Sequence, residues 1–143
     1  MRSIRPGTTL LELALTLAVT GILLAVAVPR AGGLLDRLGV RGASQDVSLA
    51  LALARAGATR RGDYVSFVAD SRTGRIRVRA GGETLFERDL ARTRGVRLDV
   101  TRESLTFAPT GLGWGPANTT VVVSRGGRAD TIVTSRLGRV RKG

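Results

Sequence analysis

Glu12 is a lone carboxylate inside an apolar run, Gly7 to Pro29 (GTTLLELALTLAVTGILLAVAVP), and its type and position call for a chemical partner. Between Thr8 and Val28 the run has membrane length, because a helix rising about 1.5 Å per residue over it spans roughly 30 Å, the thickness of a bilayer's hydrocarbon core. A carboxylate in such a span costs about 2.5 to 3.5 kcal/mol unless something pairs with it. The helix dipole returns only about 0.3 to 1 kcal/mol for an anion in the first turn, so the dipole alone does not account for the residue. A neighbouring amine would.

The other chemistry in the chain is sparse. It has no histidine and no cysteine. That excludes Ser-His-Asp and Cys-His nucleophiles, the usual zinc sites and an imidazole base. Lys142 is the only lysine and sits beside the chain's end. Asp63 with Asp70, and Glu87 with Asp89, are the conceivable carboxylate pairs, and alternating charges on exposed strand faces explain them without catalysis. Gly81-Gly82 and Gly126-Gly127 are too short for phosphate loops and no helix pattern follows them. We therefore expect no enzyme activity, no cofactor and no metal site. The net charge is +12, which favours acidic partners without specifying one. Arg125, Arg128, Arg136, Arg139, Arg141 and Lys142 face only Asp130 in the final stretch, so Arg136, Arg139, Arg141 and Lys142 are the candidate contacts for DNA or an acidic protein. Their neighbourhood in sequence lacks aromatics, and with them a stacking platform for single strands.

These residues must be positioned by the elements around them. Arg2 and Arg5 precede the apolar run, and positive charge there marks the side that stays in the cytoplasm. Ala25-Val26-Ala27 offers a rival reading, a secretory signal cleaved near Ala27. The run exceeds the usual signal core of about 7 to 15 residues, and a glutamate near its start does not suit one. Pro29, Gly32, Gly33, Gly39 and Gly42 predict a bend or a loosened turn. Beyond them Val40, Ala43, Val47, Ala50, Leu51, Ala54 and Ala58 recur at intervals of three and four, one face of an amphipathic helix. From Tyr64 the period becomes alternating, with candidate strands at 64–69, 75–79, 84–89, 97–100, 104–107, 119–124, 129–134 and 138–141. Ser71-Arg72-Thr73-Gly74, Gly81-Gly82, Gly126-Gly127 and Leu137-Gly138 are the turns between them. Ala108 to Asn118 is expected to be a loop carrying Trp114, which either closes over a small core or, as the alternative, offers a contact to a partner. The fold class is α+β, a long N-terminal hydrophobic α-helix packed on a C-terminal antiparallel β-sheet domain.

Gly7-Thr8-Thr9-Leu10-Leu11-Glu12, followed by an apolar run that ends at Pro29, resembles the prepilin motif of type IV pilins and type II secretion pseudopilins. Glutamate stands fifth and proline twenty-second in that family's mature chains, and Glu12 and Pro29 take those places when Thr8 is counted first. Thr8 stands where the family usually has phenylalanine. Two further stretches, Leu51 to Arg61 with Tyr64 to Phe67, and Ile132 to Arg141, resemble the GspH and FimT branch. The resemblance implies a type IV pilin-like fold: residues 1–7 as leader, 8–61 as the helix (8–28 for the membrane and assembly, 34–61 amphipathic) and 62–143 as the β domain. It also implies cleavage after Gly7 by a prepilin peptidase that then methylates Thr8. Glu12 would pair with a neighbour's amino terminus, and Pro29 would shape the helix. The implied product is a minor pilin or pseudopilin, single-pass in the bacterial inner membrane with its amino terminus cytoplasmic and its β domain periplasmic. It would join other pilins or pseudopilins in a type IV pilus or a type II secretion pseudopilus. A DNA-binding minor pilin that uses the basic C-terminal strand is the alternative.

Overall fold

The computed structural model describes residues 9–143, which fall into two compact units with the boundary between Leu35 and Asp36. One helix, α1 (Leu10–Arg61), contributes to both. Thr9 caps it: the Thr9 hydroxyl oxygen accepts the Glu12 N–H at 3.2 Å, and the Thr9 carbonyl accepts the Leu13 N–H at 3.1 Å. These contacts satisfy donors that a helix start leaves orphaned. In the first unit α1 runs through Pro29, Gly32 and Gly33 without a break, so the loosened turn expected there is absent. A proline deletes one backbone bond, and the strong helix formers before it keep the flanking turns closed. The Arg30 Nη1 also donates back to the Val26 carbonyl at 3.3 Å.

In the second unit the remainder of α1 buries the stripe its spacing predicts: Val40, Ala43, Val47, Ala50, Leu51, Ala54 and Ala58 are all buried. The strands are β1 (Val65–Asp70), β2 (Arg75–Ala80), β3 (Glu83–Asp89), β4 (Arg97–Val100), β5 (Ser104–Phe107), β6 (Gly113–Trp114), β7 (Thr119–Arg125), β8 (Arg128–Thr134) and β9 (Val140–Lys142). They form two antiparallel sheets rather than one, in the orders β3-β2-β1-β5-β6 and β4-β7-β8-β9. Alternation sets the inner faces: Val65, Phe67 and Ala69 of β1, and Val121 and Val123 of β7, are buried while their neighbours are half-exposed. Small residues on α1 allow the strands to approach closely, and Phe67, Phe107, Ile76, Leu98, Leu105 and Ile132 fill the core they share.

A short helix, α2 (Leu90–Arg94), was not expected. Its signals are an N-cap and a glycine rather than a hydrophobic period. The Asp89 side chain accepts the Arg92 N–H at 2.9 Å, and Gly95 closes the helix at φ 65°, a left-handed conformation that glycine adopts without penalty. The Arg92 N–H, helped by Arg75, holds the Asp89 carboxyl below the usual carboxylate range. The Thr73 hydroxyl and N–H, with the Arg72 N–H, do the same for Asp70 in the β1–β2 turn. Both carboxylates also organise structure, so neither Asp70 nor Asp89 is spare for chemistry. Glu87 and Asp89 face Arg75 and Arg77 across β2 and β3. These are surface ion pairs, each worth about 0 to 1 kcal/mol.

Two less exposed ion pairs tie α1 to the β half. Arg125 Nε reaches Asp36 Oδ1 at 3.0 Å, and its Nη1 donates to the Arg94 carbonyl at 2.7 Å. Arg94 Nε in turn reaches Asp46 Oδ2 at 3.0 Å. Asp46 is buried, and its pairing with Arg94 is what permits that.

Candidate functional site

Two regions of the chain hold the sequence-predicted residues, one in each unit. In the first unit Glu12 lies in the opening turn of α1 behind the Thr9 cap. Leu10, Leu11, Leu13, Leu15, Leu17, Ile22, Leu23, Leu24, Val26 and Val28 are exposed around it. A helix apolar on all sides is covered in the working state by lipid or by other helices, since water alone would leave it aggregation-prone. By length and composition this segment is able to cross a membrane, and none of its apolar window is buried within the chain. Glu12 and Pro29 are exposed in the single chain. Gly7 and Thr8 lie outside the described residues. What this unit offers chemically is a carboxylate acceptor at the head of an uncovered apolar rod.

In the second unit Arg136, Arg139 and Arg141 line two adjoining recesses that share Leu137. Strand β9 pairs with β8 so that Arg141 stands opposite Val133. Arg139 and Arg141 then line one recess of about 390 Å³ with Val133, Ser135 and Leu137. Arg136 lies across Leu137 in a second recess of about 780 Å³, whose walls include Tyr64, Leu112 and Trp114. Lys142 lines neither.

Trp114 corrects the sequence reading twice. It sits on β6 instead of in an unstructured loop, and it is 61% exposed instead of closing over the core. Its ring meets Tyr64 edge-on with centroids 5.2 Å apart. Tyr64 was missed as a surface residue because only sheet order brings the two together. β6 pairs with β5 through Thr106 and Trp114, and β5 pairs with β1 through Ser66 and Thr106, so the start of β1 ends up beside β6. The Gly/Pro-rich composition around Trp114 was the available signal, since it removes the side chains that would have covered the ring. Aromatics therefore do stand beside one of the basic residues, Arg136, contrary to the linear reading.

Among the described residues neither region holds a nucleophile with a base. Among the described residues no three metal-ligating side chains come together. The geometry provides surfaces for association.

Comparison with known proteins agrees with an association protein. Residues 43–138 match the family described as type II transport protein GspH. The chain is 30% identical to the pilin-like protein PilA1 of Thermus thermophilus, over 96% of this chain and 97% of that one. Its fold is similar to the type IV minor pilin FimU of Pseudomonas aeruginosa, with a TM-score of 0.64, 19% identity, and coverage of 73% of this chain and 88% of that one. It is also similar to the minor pseudopilin EpsH of the type 2 secretion system of Vibrio cholerae, with a TM-score of 0.56, 15% identity, and coverage of 72% and 94%.

Proposed function

The chain belongs to the GspH family of type IV pilin-like proteins, and from that premise we propose that it is cut after Gly7, methylated on Thr8 and assembled through α1 into a filament. It is a minor pilin or pseudopilin subunit by family and fold. The observation that carries the assembly reading is the uncovered apolar helix headed by Glu12. In the bilayer the Glu12 carboxylate has no basic side chain among residues 9–16 to pair with. In a filament, a neighbour's methylated amine, still charged, would lie against it and offset its burial. The proposed topology is single-pass in the bacterial inner membrane, with the amino terminus cytoplasmic and the β domain outside. The enzyme that processes it is a prepilin peptidase, and the filament is a type II secretion pseudopilus or a type IV pilus. Glu12→Ala tests this: the variant is expected in the membrane fraction at normal level and to be lost from sheared filaments. Normal incorporation of the variant would refute the role given to Glu12.

A second reading, contact with DNA along the C-terminal surface, gains one observation in the Tyr64 and Trp114 pair beside Arg136. Guanidinium groups grip phosphates and exposed rings stack on bases. Gel shift of the full chain in detergent across a salt series tests it. No shift at low salt, or a shift untouched by Arg139→Ala with Arg141→Ala, would discard it.

A further inference from the structure

Beyond α1, the large apolar side chains left exposed among the described residues are Tyr64, Leu112, Trp114, Val133 and Leu137, and all five line the two recesses that Leu137 joins. A contiguous apolar patch rimmed by polar groups marks a surface that something covers. This one is held in place by its backbone. Leu137 is 68% exposed, yet the Ser135 N–H donates to the Arg139 carbonyl at 3.0 Å, the Gly138 N–H to the Ser135 carbonyl at 2.8 Å and the Gly113 N–H to the Arg136 carbonyl at 3.0 Å. Arg55 Nη1, on α1, adds a bond to the Gly138 carbonyl at 3.3 Å. Gly138 itself holds φ 71°, and a Cβ there would press on the Gly111 carbonyl. The turn that carries Leu137 and the strand that carries Trp114 are thus locked together, and a preorganised surface loses little ordering entropy when a partner covers it.

Charge selects the partner. Arg136 lines the larger recess, Arg139 and Arg141 line the smaller, and no carboxylate lines either. Among the described residues no ion pair involves these three arginines. The matching occupant combines carboxylates with apolar side chains. A second copy of the chain does not supply that. No two of its carboxylates are adjacent in sequence, and Glu87 and Asp89, the nearest two, are already paired with Arg75 and Arg77. Nucleic acid matches the arginines but not the rest. Tyr64 and Trp114 meet at 66°, so they form no parallel platform for successive bases, and Leu112, Val133 and Leu137 gain nothing from a charged sugar-phosphate backbone. We propose that the two recesses, of about 780 and 390 Å³, dock an acidic polypeptide segment of another protein. Its carboxylates rest on Arg136, Arg139 and Arg141, and its apolar side chains fill the recesses as anchors.

Trp114 is the chain's only tryptophan, so its fluorescence reports on this surface alone. The test titrates the full chain in detergent with a tryptophan-free peptide that alternates glutamate with leucine. A glutamine–leucine peptide, a glutamate–serine peptide and oligothymidylate are the comparisons. The glutamate–leucine peptide is expected to shift Trp114 emission to the blue, saturably, to protect it from acrylamide, and to bind about tenfold tighter than either comparison peptide. R136Q/R139Q/R141Q and, separately, V133S/L137S should each weaken it by about tenfold. All five of those positions are exposed, so the fold is expected to survive the changes. The control R72Q/R79Q/R92Q, altered at exposed arginines elsewhere, should bind as wild type does. No shift with the glutamate–leucine peptide, equal affinity for either comparison peptide, or equal loss in the control overturns the site. Tighter binding of oligothymidylate would reassign the surface to nucleic acid, and a blue shift that grows with the chain's own concentration would reassign it to a second copy. Either result overturns the proposal.

Discussion

Arg125 and Asp36, 89 positions apart in sequence, meet at 3.0 Å and close the β7–β8 turn onto α1. The same guanidinium bonds the carbonyl of Arg94, so one side chain joins the helix, the end of α2 and the second sheet. Gly126, having no side chain, leaves room for the Asp36 carboxylate against this turn. It holds φ 55°, and a Cβ there would collide with the Asp36 carboxylate.

Gly126→Ala should therefore lower stability by about 1 to 2 kcal/mol from the left-handed backbone alone, with a further loss from the displaced ion pair. Gly127, next in sequence, has open space around it and is expected to tolerate alanine within about 0.5 kcal/mol. Urea denaturation of both variants in detergent checks the contrast. Equal effects would mean the turn does not sit against Asp36.

Asp70 and Asp89 give the fold an acid limit. Both carboxyls are held below their ordinary value of about 3.9, Asp70 chiefly by the Thr73 hydroxyl and Asp89 chiefly by the Arg92 N–H. The folded state then binds their protons less readily than the unfolded state. Their stabilising contribution is complete above the ordinary value and is lost as pH falls through the lower folded values. Asp70→Asn with Asp89→Asn should flatten the loss of stability between about pH 5 and pH 2, because asparagine still caps but does not titrate. Denaturation midpoints across that range measure it, and an unchanged slope would contradict the assignment.

Trp114 is exposed, so Trp114→Ala should cost no more than the aromatic pair is worth, about 0.5 to 1.5 kcal/mol. Its fluorescence in the wild type should be readily quenched by acrylamide. A large loss of stability, or protection from quencher, would restore the role in the core that its type suggested.

The helix was legible in the sequence because its signals are local. Membrane-length hydrophobicity, a stripe of small residues from Val40 to Ala58, and Glu12 and Pro29 at fixed spacing can all be read without knowing what packs where. Most strands were also legible, since β4 and β5 begin and end where alternation and turns place them. What escaped depends on neighbours distant in sequence. The division into two sheets and the meeting of Tyr64 with Trp114 both follow from strand order. Helix α2 escaped for another reason: five residues are too few to carry a period, and its caps at Asp89 and Gly95 were the only signal.

The mature amino terminus, read by intact mass and terminal peptide mass spectrometry of the membrane-extracted protein, tests the central claim most directly. The account predicts a chain that begins at Thr8 with one methyl group, and a Gly7→Ala variant that keeps its leader. A chain that begins at Val28, cut after Ala27, would contradict it, because the apolar helix and Glu12 would then be discarded with a secretory signal.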